Sequence, residues 1–220
     1  MSVQDRKIRE FERRGQEILD AALALFQSDE WEAVTVEEIA HRAEVGKGTV
    51  YKHFASKDEI YARLAMDFQA RVVAGNDRID ASLPVIDRFR AHVRVAWAIH
   101  LSSRELHRVF LYSSRGEFRS RLAPETLAEL QVLEQRVAQP THDLIAAGIE
   151  QGIFPRKPLP LMLFGAQSAF WGAIQLMWSG YLGEIDKSQY LDELSSFLLA
   201  GLIYSDRPLA AAHDQPDRVA

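Results

Sequence analysis

At 220 residues the chain is long enough to bury a full core, as one domain or as two unequal ones. It contains no Cys, which excludes disulfides, thiolate metal sites and cysteine nucleophiles. Its formal net charge of −5 excludes a protein that coats nucleic acid through a diffuse cationic surface, so any DNA affinity must come from local clusters.

In chain order, the first such cluster is Arg6, Lys7, Arg9, Arg13 and Arg14, within a stretch charged throughout from Met1 to Arg14. No basic-then-apolar leader stands there, and a cytoplasmic protein is the expectation. From Ile8 to Ser28 the pattern is helical, with Phe11, Ile18, Leu19, Ala22, Leu25 and Phe26 recurring at threes and fours. Trp31 and Val34 continue the apolar surface beyond that helix.

Thr35 to Lys57 then reads as two short helices at a sharp turn and the start of a third. Thr35 and Glu38 have the spacing of a capping box, followed by Val36, Ile39, Ala40 and Ala43 on one face. Glu44-Val45-Gly46 breaks the period. Glu44 stands where helix-turn-helix units usually have Gly, a left-handed position that costs a side chain with a Cβ roughly 1 kcal/mol. In the second helix, Gly48 to Phe54, Val50 and Phe54 at i,i+4 must face inward. That turns Gly48, Thr49, Lys52 and His53 outward, with Tyr51 at the flank. Ser56 and Glu59 form another expected capping box. A tight helical pair whose second member shows cationic, hydroxyl and aromatic groups has the form of a DNA-reading helix-turn-helix.

The run GKGTVYKHFASKDEIY closely resembles the recognition-helix signature of tetracycline-repressor-like (TetR-like) regulators. The resemblance is specific from Phe11 to Leu64 and architectural beyond. It implies an all-α fold: an N-terminal three-helix head over 1–55 and an effector-binding and dimerisation domain over 56–205; the tail, 206–220, has no periodicity and is expected to be disordered. It also implies contacts to double-stranded DNA from Thr49, Tyr51, His53 and Lys57. By side-chain class Lys52 joins them, able to reach guanine acceptors or phosphate. Thr35, Lys47 and Gly48 complete the candidate set, with Lys47 and Lys57 as backbone clamps.

The rest of the chain continues as helices. Ile60, Leu64, Phe68 and Val72 mark a fourth, losing its pattern at Gly75-Asn76-Asp77. Pro84 opens the next, with Phe89, Val93, Trp97 and His100 on its stripe. Another runs from Arg104 to about Arg115. A long one starts at Pro124 and should kink at Pro140, ending at Gly152 before Pro155. Leu159 to Gly183 carries no charged side chain and reaches the length of a membrane span. Its Gln167, Ser168, Gln175 and Ser179 favour instead a helix buried all round, partly against another subunit. A last helix, Ser188 to Ile203, would join it in a homodimer interface, as the resemblance implies.

Enzyme motifs are missing: there is no G-x-S-x-G, no H-E-x-x-H and no phosphate-binding glycine loop. No metal or cofactor is expected, and His100 with His107 reads as core or pocket. Family members respond to a small molecule. Here Trp97, Phe110, Phe118, Phe154, Phe170, Trp171 and Trp178 could line an apolar cavity, with Arg94, His100, Arg104, Gln167 or Gln175 as polar anchors. That load suits a hydrophobic or aromatic effector. The competing reading is a helical interaction module or membrane-associated adaptor that borrows a helix-turn-helix.

Overall fold

The structure, a computed structural model, describes residues 3–181, 183 and 186–206. The described residues form helices and turns, with no strand among them. The order is α1 (Val3–Leu25), a 3-10 turn (Trp31–Ala33), α2 (Val36–Arg42), α3 (Lys47–His53), α4 (Lys57–Asn76) and α5 (Val85–His100). Then come α6 (Arg104–Ser113), α7 (Gly116–Arg119), α8 (Pro124–Glu150), α9 (Leu159–Ser179) and α10 (Lys187–Ile203). The short α7 has no counterpart in the periodicity reading. α8 continues through Pro140, which stands inside it. Of the expected tail only Asp206 lies within the described residues.

Two compact units share the chain, divided between Thr141 and His142. The first does not break at residue 55. Its core is continuous from Ile18, Ala22 and Phe26 of α1, through Ile39 and Val50, to Ile60, Tyr61, Leu64 and Phe68 of α4 and Leu106 and Val109 of α6. A three-helix head of that size buries too little surface to be stable alone, so α4 completes it. Polar ties reinforce the apolar ones. Arg121 grips Asp58 with Nε at 2.8 Å, and Arg108 holds the Ser28 carbonyl at 3.2 Å. Tyr61, stacked on Phe26 at 4.8 Å, donates its hydroxyl to the Trp31 carbonyl at 3.3 Å.

At the start of α4 the structure corrects the second capping box. Ser56 Oγ accepts from Glu59 N at 3.1 Å, but the Glu59 carboxylate does not return the bond. It accepts from Arg63 Nε at 3.0 Å and Thr126 Oγ1 at 2.8 Å, two stronger calls on a partly buried acid.

In the second unit α9 packs on α10, and Phe154 lies over Gly148, where a Cβ would come within 2.1 Å of its ring. α9 ends at Gly180 with φ +69° rather than at Gly183. Nor is it buried all round within the chain. Met162, Leu163 and Ile174 are buried, whereas Leu161 is 69% and Phe164 73% exposed. On α10, Phe197 is 67% exposed. Among the described residues no helix is long and apolar enough to cross a membrane.

Candidate nucleic-acid interface

The capping box at α2 is complete. Glu38 N donates to Thr35 Oγ1 at 3.2 Å and Thr35 N donates to Glu38 Oε2 at 2.7 Å. At its other end, Glu44 N donates to the His41 carbonyl at 3.2 Å and Val45 N to the Ala40 carbonyl at 3.0 Å. This pair of bonds is a Schellman ending, which needs a left-handed residue between them. Glu44 supplies it at φ 55°, the one positive-φ residue with a side chain among those described.

Gly46 caps α3 without a side-chain bond. Val50 and Phe54 turn inward and are buried, which fixes the rotation of the helix. Lys47, Gly48, Tyr51 and Lys52 are exposed, and Thr49 and His53 are half-buried at the edges of that face. Gly48 has open space around it, since a Cβ there would meet nothing within 4 Å. Thr49 and Lys52 engage no side-chain partner among the described residues. Lys47 is paired with Glu37 of α2, and its Nζ lies 6.0 Å from the Tyr51 ring centroid. That pair raises the Lys47 pKa and lowers that of Glu37.

Two candidates are committed elsewhere. His53 stacks on Phe11 of α1 with ring centroids 4.0 Å apart, and burial followed by the charge of Arg14 lowers its pKa. Lys57 donates to the carbonyls of Glu32 at 2.8 Å and Val34 at 2.9 Å, tying α4 to the turn before α2. Burial lowers its pKa, against the pull of Asp58 and Glu32. Sequence reading placed Lys57 at the helix start correctly. It missed those carbonyl partners, which are supplied by residues more than twenty positions away.

The effector candidates fall into separate places. In the first unit His100 and Phe110 lie together with His107 and with Phe68, a residue the sequence did not single out for the pocket, and Trp97 is buried on α5. The Phe68 ring is 4.8 Å from His100 and 5.0 Å from Phe110. His100 and His107 lie on successive helices, with Nδ1 atoms 3.0 Å apart. Burial lowers both pKa values, so both imidazoles are neutral, one Nδ1 donating and the other accepting. Gln69 is 2% exposed and its Oε1 is buried without a hydrogen bond. A polar residue in the apolar series Ala65, Gln69, Val73 was the available signal. Phe118 belongs instead to an aromatic group with Tyr61 and Tyr112. In the second unit Phe170 and Trp171 are half-buried neighbours, and Trp178 has a buried Nε1 without a hydrogen bond. Arg94, Arg104, Gln167 and Gln175 stand on exposed surface rather than serving as buried anchors, because each falls on the outer side of its helix. No group of three or more metal-ligating side chains occurs among the described residues.

Comparison with known proteins adds to this geometry. The sequence model of the family described as "Bacterial regulatory proteins, tetR family" matches residues 18–64, which span the end of α1 through the first turns of α4. The chain is 26% identical over 197 residues to the HTH-type transcriptional repressor KstR2 of Mycobacterium tuberculosis, covering 86% of this chain and 92% of that one. Over 56 residues it is 45% identical to the A-factor receptor protein of Streptomyces griseus, covering 26% of this chain and 20% of that one. Among solved structures, the TetR family transcriptional regulator PfmR of Thermus thermophilus superposes with a TM-score of 0.66 at 20% identity, over 84% of this chain and 96% of that one.

Proposed function

We propose that the chain, a TetR-like transcriptional regulator, binds a palindromic operator as a homodimer, acts as a repressor, and leaves DNA when a small hydrophobic effector is bound. The exposed face of α3 carries the reading. With Val50 and Phe54 turned into the core, Lys47, Gly48, Thr49, Tyr51 and Lys52 are the groups offered to a major groove. Thr49 and Lys52 address base edges. Tyr51 and Lys47 address phosphate, and Lys47 exchanges Glu37 for it. Thr35 lies at the start of α2, where its amide neighbours can meet a second phosphate, and His53 borders the same face. Lys57 acts from behind, by holding the turn that orients α2.

The homodimer forms through α9 and α10. Each exposes a stripe at helical spacing, Leu161, Phe164 and Gly172 on one and Phe197, Gly201 and Tyr204 on the other. Apolar and small residues in such a row suit close approach of a second copy. The effector contacts the group of Phe68, His100, His107 and Phe110. Neutral imidazoles there offer no cation to an acid, so a nonionic apolar or aromatic compound fits better. Its differential affinity for the two head spacings supplies coupling on the order of 1–3 kcal/mol. Such a regulator works in the cytoplasm, where its operator is.

Selection of genomic fragments from the host tests the reading. The wild-type chain should enrich discrete fragments, and the variant Thr49→Ala with Lys52→Ala should lose them while melting like wild type. Recovery of the same fragments by that variant would remove α3 as the reader. Phe164→Glu and Phe197→Glu should give monomers in sedimentation, and unchanged dimers would rule out this interface.

A further inference from the structure

The first turns of α1 are not explained by packing of the head. α1 has 23 residues, yet its buried positions begin only at Ile18, and residues 4–13 are all exposed. A free helical segment of that length is marginal in water. Within it Arg13 pairs with Glu10 and Glu17, and Arg14 Nη1 lies 2.9 Å from Glu17. Those pairs leave the earlier cations unmatched. Arg6 and Lys7 meet no partner among the described residues, and Arg9 Nε donates only to the Asp5 carbonyl at 3.3 Å. Five cations against Asp5, Glu10 and Glu12 give residues 4–14 a net charge of +2, in a chain of −5.

Phe11 fixes where this segment lies. It is 54% exposed, but its ring stacks on His53, the last residue of α3, at an interplanar angle of 25°. Lys7, Phe11 and Arg14 fall on one helix face, so the stripe that meets α3 through Phe11 continues past it to Lys7. The eight steps from Phe11 back to Val3 extend about 12 Å at 1.5 Å per residue. That matches about three phosphates of one strand at ~3.4 Å each.

We propose that the first three turns of α1 form a second DNA contact, a cationic arm laid on the phosphates beside the groove that α3 enters, with Phe11 as the positioning residue that anchors the arm to His53. The arm supplies affinity without sequence preference, since phosphate contacts carry no base information. It rests on the reading of α3 as the DNA-contacting helix.

A salt series on a duplex carrying the wild-type footprint, beside an unrelated duplex of equal length, tests it. Replacing Arg6, Lys7 and Arg9 by Gln should make the slope of log K against log salt shallower by about 2 to 3 per bound protomer. The ratio of specific to non-specific affinity should stay within about twofold. Phe11→Ala keeps every charge and should still lose most of that slope, Phe11→Tyr should restore it, and Phe11→Leu should not. The melting temperature should hold in all of these, because Phe11 lies outside the core. An unchanged slope in the triple variant, or a Phe11→Ala that lowers melting and leaves the slope intact, would overturn the arm alone. A wild-type chain that protects no site would overturn both the arm and the operator reading.

Discussion

Gly48→Ala separates folding from DNA contact within one residue. Gly48 sits in the first turn of α3, its φ is not left-handed, and an added Cβ meets nothing within 4 Å. The fold therefore gives no reason for glycine there. Glycine inside a helix is about 0.5–1 kcal/mol less favourable than alanine, and near a helix end the low part of that range applies. The variant should be more stable by about 0.5 kcal/mol, a rise in melting temperature of roughly 1–2 °C for a chain of this size. If α3 enters the groove at this turn, the same methyl group meets the DNA backbone. Affinity for operator should then fall at least about tenfold, or about 1.4 kcal/mol. Urea titration and a binding isotherm on the same preparation give both numbers. A loss of stability would show that the open space around Gly48 is misread. A gain in stability with unchanged binding would show that DNA does not approach this turn.

Three other substitutions probe the account. Glu44→Gly relieves the left-handed strain at φ 55° and should add about 1 kcal/mol of stability in urea; no gain would mean that the exposed Glu44 side chain stabilises the turn in some other way. Lys57→Met leaves the Glu32 and Val34 carbonyls without their donor and should destabilise by about 1 kcal/mol or more, whereas unaltered stability would return Lys57 to a purely DNA-contacting role. The third concerns acid. Burial holds His100 and His107 below the ordinary imidazole range in the folded chain, so the unfolded chain takes up protons first as pH falls below about 6.5. Their contribution to stability is complete above that pH and is lost in acid, at up to about 2.7 kcal/mol per pH unit for the two. Urea midpoints should drop between pH 7.5 and 5.5, less so in His107→Gln, and equal pH dependence in both proteins would contradict the buried neutral pair.

Local signals in the sequence were read well because local physics decides them. The Thr35–Glu38 box, the left-handed Glu44 and the inward Val50 and Phe54 each depend on neighbours within a few residues, and all appear in the structure. Features set by distant partners were not legible. The carbonyls that hold Lys57, the diversion of Glu59 to Thr126, and the Phe11–His53 stack join segments well apart in sequence. The histidine pair illustrates the same limit. A turn at Leu101 to Ser103 separates the two helices that carry it, and their meeting comes from packing. On α9, lack of charge implied burial on every side. The chain alone buries one side, and the proposed homodimer would cover the other.

The most direct test of the central claim is a hydroxyl-radical footprint of the wild-type chain on an enriched genomic fragment, read alongside the mass of the complex. The account predicts two symmetry-related protected half-sites centred one helical turn, about 34–36 Å, or a multiple of it apart, with an even number of chains bound. Protection should vanish in Thr49→Ala with Lys52→Ala. A single unpaired footprint occupied by one chain, or uniform weak protection that disappears at moderate salt, would contradict a dimeric reader of a palindromic operator.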